Sequence, residues 1–534
     1  MAENNNRLVA PSPGEEDKAN APNPQAQDRV AGASSETFEG QVNTGIPMGK
    51  DTAFAERLAL VGFALYACFA PHSIAGAEIS LALVSIAWLV RIFSTHSTRL
   101  FWTKVDLPIA LFVAWTACSS FLSEEPRLAI PKLQSVCVVF LLYLARSFIT
   151  RRTAVFLVSL MIASGVAGSI WSVAERAIGR GVVIESMSAD SPLRRTEVIS
   201  GDAIWRLGGK KVASVAEIND IIARSAAGTQ LGVSVIRNGE HGDFRGFAVT
   251  EQDKLRANPS GITGNAATHR FRASGWTRHY ETFSETLQIL AQLALGLALA
   301  GFLRKSTKRS PRIALAAAAL LTVGIALTAM RSVLVGLLVG AGVVAWRTGD
   351  RRLRMSAAFA LVLVFILGAL AVYRIRTTGA VVLHDDSASL RYQVAKAGAA
   401  RILIHPFFGV GMDAVHRHWH DWGFPGDVII HTHSTPLELA FERGLPALFF
   451  WCWILIAFWR ITSAAEHAFR SSDNAHLHGL TLGALGSIAG FVASSLVNYN
   501  FGDGEVALVF WFLMGTIIAI APKEITASNP FKRI

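Results

Sequence analysis

The apolar residues of this chain are gathered into uninterrupted blocks, and that feature limits the fold most. Residues 313–346 read IALAAAALLTVGIALTAMRSVLVGLLVGAGVVAW, with Arg331 as the single charge in the run. Blocks of about 20 apolar residues are the length of a membrane-crossing helix, and in hydrocarbon a lone segment satisfies its backbone only as a helix. With 51% hydrophobic and 17% charged residues, the composition agrees. The expected fold is an all-α polytopic membrane protein of about twelve spans. They fall near residues 57–72, 76–93, 105–122, 132–149, 154–176, 284–303, 312–329, 331–346, 355–373, 436–459, 478–498 and 505–522.

Residues 1–56, rich in Asn, Pro, Ala and acidic side chains without periodicity, read as a disordered cytoplasmic tail with no cleavable signal peptide. The segments RIFSTHSTRLFWTK, ARSFITRRT, RKSTKRSPR, WRTGDRRLR and WRITSAAEHAFR are all basic, whereas APHSIAGAE, SEEPRLAIPK and NYNFGDGE are neutral or acidic. By the positive-inside rule the basic set is cytoplasmic, which places both termini inside. This asymmetry absorbs much of the +11 net charge, so no nucleic-acid partner is needed. Cys68, Cys118, Cys137 and Cys452 all lie in apolar segments, away from any disulfide or metal cage.

An arginine at the centre of a bilayer costs about 2.5–3.5 kcal/mol on insertion scales. If 313–346 were one helix, two basic loops would fall on opposite sides. The run therefore reads as two spans, with Arg331 at their outer turn, where its guanidinium reaches water. The spans group into 57–176, 284–373 and 436–534, the last ending in a cytoplasmic tail. This leaves two long outer segments.

In the first, GVVIESMSADSPLRRTEVISGDAIWRLGGKKVASVAEINDIIARSAAGTQLGVSVIRNGEHGDFRGFAVT, the pattern predicts several elements. They are a β-rich start, a strand from Ala203 to Leu207, a Gly-Gly turn, a helix from Ser214 to Ala226, and a strand Val233–Ile236 turning at Asn238-Gly239. Ser214 and Glu217 have capping-box spacing. The run SGDAIWRLGGKKVASVAEINDII resembles a PDZ domain, giving a small α+β insertion over residues 178–250. The resemblance implies binding of an extended peptide from a periplasmic protein along a sheet edge. Residues 251–283, with Arg270, Arg272 and Arg278, read as a basic periplasmic linker.

The second segment, 374–435, predicts a helix from Leu390 to Ile404, preceded by Ser387 and Ser389 and stopped at His405-Pro406. The runs LTAMRSVLVG, SLRYQVAKAGAARILIHPFFGVGMDA and HSTPLELAFERGLPALFF resemble, in this order along the chain, three motifs of the O-antigen ligase and polymerase superfamily. Met330 and Ser434 depart from the usual Ser and Asn. The resemblance implies a glycosyltransferase of the bacterial inner membrane that moves a glycan from undecaprenyl pyrophosphate to a hydroxyl on the periplasmic face. The acceptor would be a glycan, lipid A-core or a protein, and ligase, polymerase and protein O-oligosaccharyltransferase share these motifs.

On this resemblance the catalytic residues are His433, Arg331 and Arg391, with Arg401, His405 and Glu438 as substrate-binding candidates. The two arginines suit a pyrophosphate leaving group and His433 suits a general base. Direct displacement would invert the anomeric centre and need no cofactor: no nucleotide and no metal. Two rivals remain. His416, His418 and His420 would share one face of an extended segment, with His431 and His433 nearby, a spacing that could hold zinc. Twelve spans would also suit a polysaccharide or lipid transporter, although no internal repeat is visible.

Overall fold

The computed structural model describes residues 50–98, 100–237, 240–277, 279–304, 309–352, 354–355, 386–426, 428 and 431–527. The first helices are α1 (Lys50–Phe69), α2 (Ile74–Thr95), α3 (Asp106–Leu122), α4 (Pro126–Phe148) and α5 (Arg151–Ile178). The tail expected over residues 1–56 therefore ends earlier: its last residues form the first turns of α1, with Asp51 favourably placed at the positive helix start. Within α4, residues Ile130–Val139 wind as a 3-10 helix that opens at Pro131, which has no amide to donate.

After α5 the chain leaves the bundle and builds an α+β domain. Its elements are β1 (Arg180–Met187), β2 (Ala203–Leu207), β3 (Lys210–Lys211), α6 (Val215–Arg224), β4 (Gln230–Arg237), β5 (Glu240–Ala248), α7 (Glu251–Leu255) and β6 (Ile262–Thr268). The antiparallel sheet runs β5-β4-β2-β1-β6, with β3 on β2. Ile218 and Ile222 of α6 close a core with Val182, Ile184, Ile204, Leu207, Val233, Val235 and Phe247. The expected strands and helix appear; the turn at Asn238-Gly239 and Arg278 lie outside the described residues.

Two expectations are corrected here. The linker read over 251–283 instead supplies α7 and β6, and β6 pairs with β1 at Val183↔Ala266 and Met187↔Ile262. Its sequence, ITGNAAT, holds one large apolar residue, so the strand is set by the unpaired edge of β1 rather than by a pattern of its own. The Ser214 hydroxyl does cap α6, accepting from Glu217 N (3.2 Å). Glu217, however, accepts from Ala213 N (2.9 Å), one residue short of a reciprocal box.

The bundle resumes with α8 (Tyr280–Leu303), α9 (Ser310–Leu327) and α10 (Arg331–Arg347). It continues with α11 (Asp386–Ile404), α12 (Thr435–Arg443), α13 (Leu445–Arg470), α14 (Ala475–Ser495), α15 (Gly504–Ile520) and α16 (Lys523–Thr526). Eight described helices are long and apolar enough to cross a membrane, and α3 and α15 are shorter apolar helices. Helix α10 has 17 residues. About twelve spans are therefore not reached among the described residues, and the span expected at 355–373 lies outside them except for Met355.

The span expected at 436–459 is two helices. Gly444 (φ 82°) breaks it, and a Cβ there would sit 1.8 Å from the Phe407 carbonyl oxygen, so only glycine lets the chain turn here. Helix α11 begins at Asp386, so Ser387 and Ser389 lie in its first turns rather than before it.

Helix α8 packs along α9, α10 and α14. At the crossing with α14, a Cβ on Gly296 would lie 2.3 Å from Gly483 N, a backbone-to-backbone approach of the kind small residues allow between membrane helices. The bundle end that carries the α+β domain is its head. At the opposite end buried charges are paired: Arg146 with Asp106 (2.7 Å), and Glu466 with Arg347 (2.6 Å), Arg470 (2.8 Å) and His478 (3.1 Å).

Candidate active site at the head of the bundle

Helices α11 and α12 run side by side in the same direction. Gly398 of α11 lies against Leu437 and Thr432, and Gly409, just past α11, lies against Glu442. The turn 431–434 thus sits where α12 starts. His433 adopts a left-handed conformation (φ 56°), uncommon outside glycine and usual where surrounding contacts over-determine it.

Those contacts are visible. The Glu438 carboxylate accepts from Thr432 N (2.6 Å) and Thr432 Oγ1 (2.5 Å), fixing the residue before His433. On the other side, Ser434 caps α12 by accepting from Leu437 N (3.5 Å), a serine doing the fixing usually left to asparagine. Thr435 N and Oγ1 both donate to the Asn498 carbonyl oxygen (3.0 and 3.1 Å). His433 N also donates to His431 Nδ1 (3.3 Å), and the two rings meet edge to face at 4.5 Å.

Burial, with His431 and the Arg391 guanidinium nearby, lowers the pKa of His433 to about 3. Burial, with His279 and Arg391, lowers that of His431 to about 4. Glu438 moves the other way, to about 8, because it is fully buried and lies near Glu442. Glu442 is raised too, chiefly by burial, while accepting from Asp413 N (3.0 Å) and the Tyr499 hydroxyl (3.2 Å).

Arg331 opens α10 on the same head, exposed to solvent, two residues after the left-handed Ala329 (φ 57°). Its neighbour Ser332 hydrogen-bonds the Asn498 side chain (3.0 Å). Asn498 therefore joins the Arg331 turn through its side chain to the His433 turn through its carbonyl. This asparagine, with Tyr499, escaped the sequence reading; the only signal was amide and aromatic side chains in NYNFGDGE between two apolar blocks, and His279, in the segment WTRHYETF, carried none.

Arg401 and His405 are placed elsewhere. They share Glu124: Arg401 NH2 lies 2.5 Å from one oxygen and His405 Nε2 3.2 Å from the other, with Arg401 4.8 Å above the Trp422 ring. Ten residues of helix, about 15 Å, separate Arg401 from Arg391. Glu438 is likewise buried beneath the His433 turn, in a positioning place rather than a substrate-facing one.

The histidine-rich stretch is a series of turns rather than an extended strand. His416 lies beside Asp413 (3.5 Å), and His418 pairs with Glu125 (3.2 Å) while stacking on Trp422 (4.7 Å). Among the described residues no three His, Cys, Asp or Glu side chains gather as a metal-holding group, and Asp427 lies outside them.

The α+β domain is seated on this head. Arg180 pairs with Glu175 at the end of α5, lies 4.4 Å above the Phe271 ring and contacts His241 Nε2 (3.2 Å). His241 in turn stacks at 6.2 Å on Tyr280, the first residue of α8. Burial and the charges of Arg180, His279, Arg272 and Arg206 bring His241 to about 4, which keeps this junction neutral on the histidine side.

The fold is therefore a multi-pass membrane protein whose head combines a strained histidine turn, two arginines and an α+β domain. Residues 316–452 match the family model described as O-antigen ligase, a window that contains all six candidate residues. Residues 164–245 match the PDZ domain. The chain thus carries an O-antigen ligase domain with an inserted PDZ domain, as its motifs imply. The PDZ window starts inside α5 and stops within β5, whereas the folded unit runs from β1 to β6. Among curated proteins none matches the chain. The ligase match suggests a membrane glycosyltransferase of polysaccharide synthesis.

Proposed function

We propose that the protein transfers a glycan from a polyprenyl-pyrophosphate carrier to an acceptor hydroxyl at the head side of the membrane, the periplasmic face of a bacterial inner membrane. The observation that carries this reading is the His433 turn, held in a left-handed conformation within reach of the Arg391 charge, inside the ligase-matched region. His433, neutral at physiological pH, takes the proton of the acceptor hydroxyl. The freed oxygen attacks the anomeric carbon, and the bond from that carbon to the pyrophosphate oxygen breaks with inversion. The leaving pyrophosphate keeps the electron pair, and Arg391 and Arg331 meet its charge.

The depressed basicity of His433 is itself sensitive to substrate. Pyrophosphate drawn to Arg391 offsets the Arg391 part of that depression, while burial, its largest cause, and the neighbouring His431 remain. The acceptor is lipid A-core, a growing glycan or a protein hydroxyl. The PDZ domain supports a peptide-bearing partner, held as an added strand.

The test is transfer by the purified protein from undecaprenyl-pyrophosphate-linked glycan to each acceptor class, with EDTA present. Transfer that persists in EDTA and disappears in His433→Ala, Arg331→Ala and Arg391→Ala is the expected result. Unchanged transfer in those variants would refute the residue assignment, and substrate counterflow without transfer would indicate a transporter.

A further inference from the structure

The solvent-side stripe of α11 changes character along its length. Tyr392, Gln393 and Lys396 are exposed near its start, Ala399 and Ala400 midway, and Leu403 (83%), Ile404 (63%) and, just past the helix, Phe407 (65%) at its end. Three large apolar side chains in sequence at a helix tip are costly to leave in water. The position of the tip shows what surrounds it.

Phe408 stacks on Trp115 of α3, with ring centroids 5.5 Å apart and planes 9° from parallel. The Trp115 indole donates to the Arg443 carbonyl oxygen (3.0 Å), and Leu445 N donates to the Pro406 carbonyl oxygen (2.8 Å). Trp115 lies seven residues before Leu122, the head end of α3, which places it about 10 Å deeper at 1.5 Å per residue. Helix α3 spans only about 25 Å, less than the ~30 Å hydrocarbon layer, and its last residues Phe121 (59%) and Leu122 (57%) are exposed and apolar. The Phe408 ring therefore packs below a helix end whose own last residues are exposed and apolar. Beside it, exposed Leu445 and Phe449 begin the spanning helix α13 and continue the same apolar surface.

We propose that the C-terminal end of α11, through Leu403, Ile404 and Phe407, is embedded in the hydrocarbon of the head-side leaflet, with lipid acyl chains as its partner. The loop between the spans is then not wholly extramembrane. It descends into lipid and is pinned there by the Phe408–Trp115 stack. Glu124, Arg401 and His405 sit beside the tip as a half-buried charged group, and Lys396 is exposed two turns nearer the start of the helix. The anchor fixes the height of Arg391, twelve residues or about 18 Å of helix from Leu403, relative to the bilayer. This inference rests on the membrane reading alone and not on the proposed reaction.

The test uses the full chain in phosphatidylglycerol–phosphatidylethanolamine proteoliposomes, with its four cysteines replaced by serine and without substrate. Nitroxide labels are placed at Leu403→Cys, Ile404→Cys and Phe407→Cys, with Phe449→Cys as the lipid-facing standard and Tyr392→Cys as the water-side one. The expected result is preferential collision with oxygen over a water-soluble nickel chelate at 403, 404, 407 and 449, and the reverse at 392. Nickel access at 403–407 comparable to that at 392 would overturn the proposal by placing the tip in water. Protection from both reagents would overturn it by showing that protein, such as a second copy, covers this face.

Discussion

Replacing Glu438 separates two roles that a buried carboxyl can have near a histidine. One of its oxygens accepts both Thr432 hydrogen bonds, and Thr432 is 2% exposed, so in Glu438→Ala two buried donors lose their acceptor. An unsatisfied buried donor costs about 1–3 kcal/mol, and the left-handed His433 stores about 1–2 kcal/mol more that these contacts help to restrain. A partial relaxation that lowers the productive turn by about 2 kcal/mol corresponds to about a 30-fold loss in kcat, with the KM for donor little changed. Glu438→Gln keeps a carbonyl oxygen for Thr432. Because burial pushes the Glu438 carboxyl toward its neutral form, an uncharged amide is the conservative replacement. This variant is expected to retain transfer within about threefold. Steady-state transfer from lipid-linked donor, with thermal unfolding as a check on folding, measures both variants. If Glu438→Gln is as impaired as Glu438→Ala, a carboxylate charge acts in the chemistry and the positioning argument is wrong.

Three further outcomes follow from the same contacts. His431 and His433 are depressed from the usual 6.5 in the folded state, so below about pH 6.5 the unfolded chain binds protons that the folded one refuses. Their contribution to stability is full above that pH and declines toward pH 3–4; the melting temperature should fall less between pH 7 and 5 in a His431→Gln, His433→Gln double variant. Gly296→Val sets a side chain against the α14 backbone and should lower thermal stability by several degrees or abolish the folded detergent-solubilised protein, whereas Gly232→Val, with open space around its Cβ position and no left-handed backbone, should lower it much less. Arg401 and Glu124 are partly exposed, so a double-mutant cycle of Arg401→Ala with Glu124→Ala should give a coupling of about 0.2–1 kcal/mol in stability, with kcat within a few-fold of wild type. A loss of transfer comparable to that of His433→Ala would return Arg401 to the chemical centre.

What could be read from sequence follows the range of the forces involved. Apolar block length is a local property, which is why α2, α5, α8 and α14 lie near their expected limits. The strand Ala203–Leu207 and the helix capped by Ser214 were legible for the same reason, since alternation and capping need only neighbouring residues. Gly444 was not read as a break because nothing beside it in the chain signals one; the Phe407 carbonyl that demands a glycine comes from another segment. Strand β6 was read as linker because its pairing partner lies about eighty residues away.

The sequence by itself determined a membrane-buried helical bundle, an inserted PDZ domain and the residue types of the site: Arg331 at a turn, Arg391 on a loop helix, His433 before α12. Only the tertiary structure decided how they relate. It brought Asn498 between the two turns, drew Arg401 and His405 away to Glu124, set Glu438 beneath Thr432, and lowered the end of α11 beside α3. Each of these depends on burial and on contacts between distant segments, and burial is what disfavours the charged forms of His433 and Glu438.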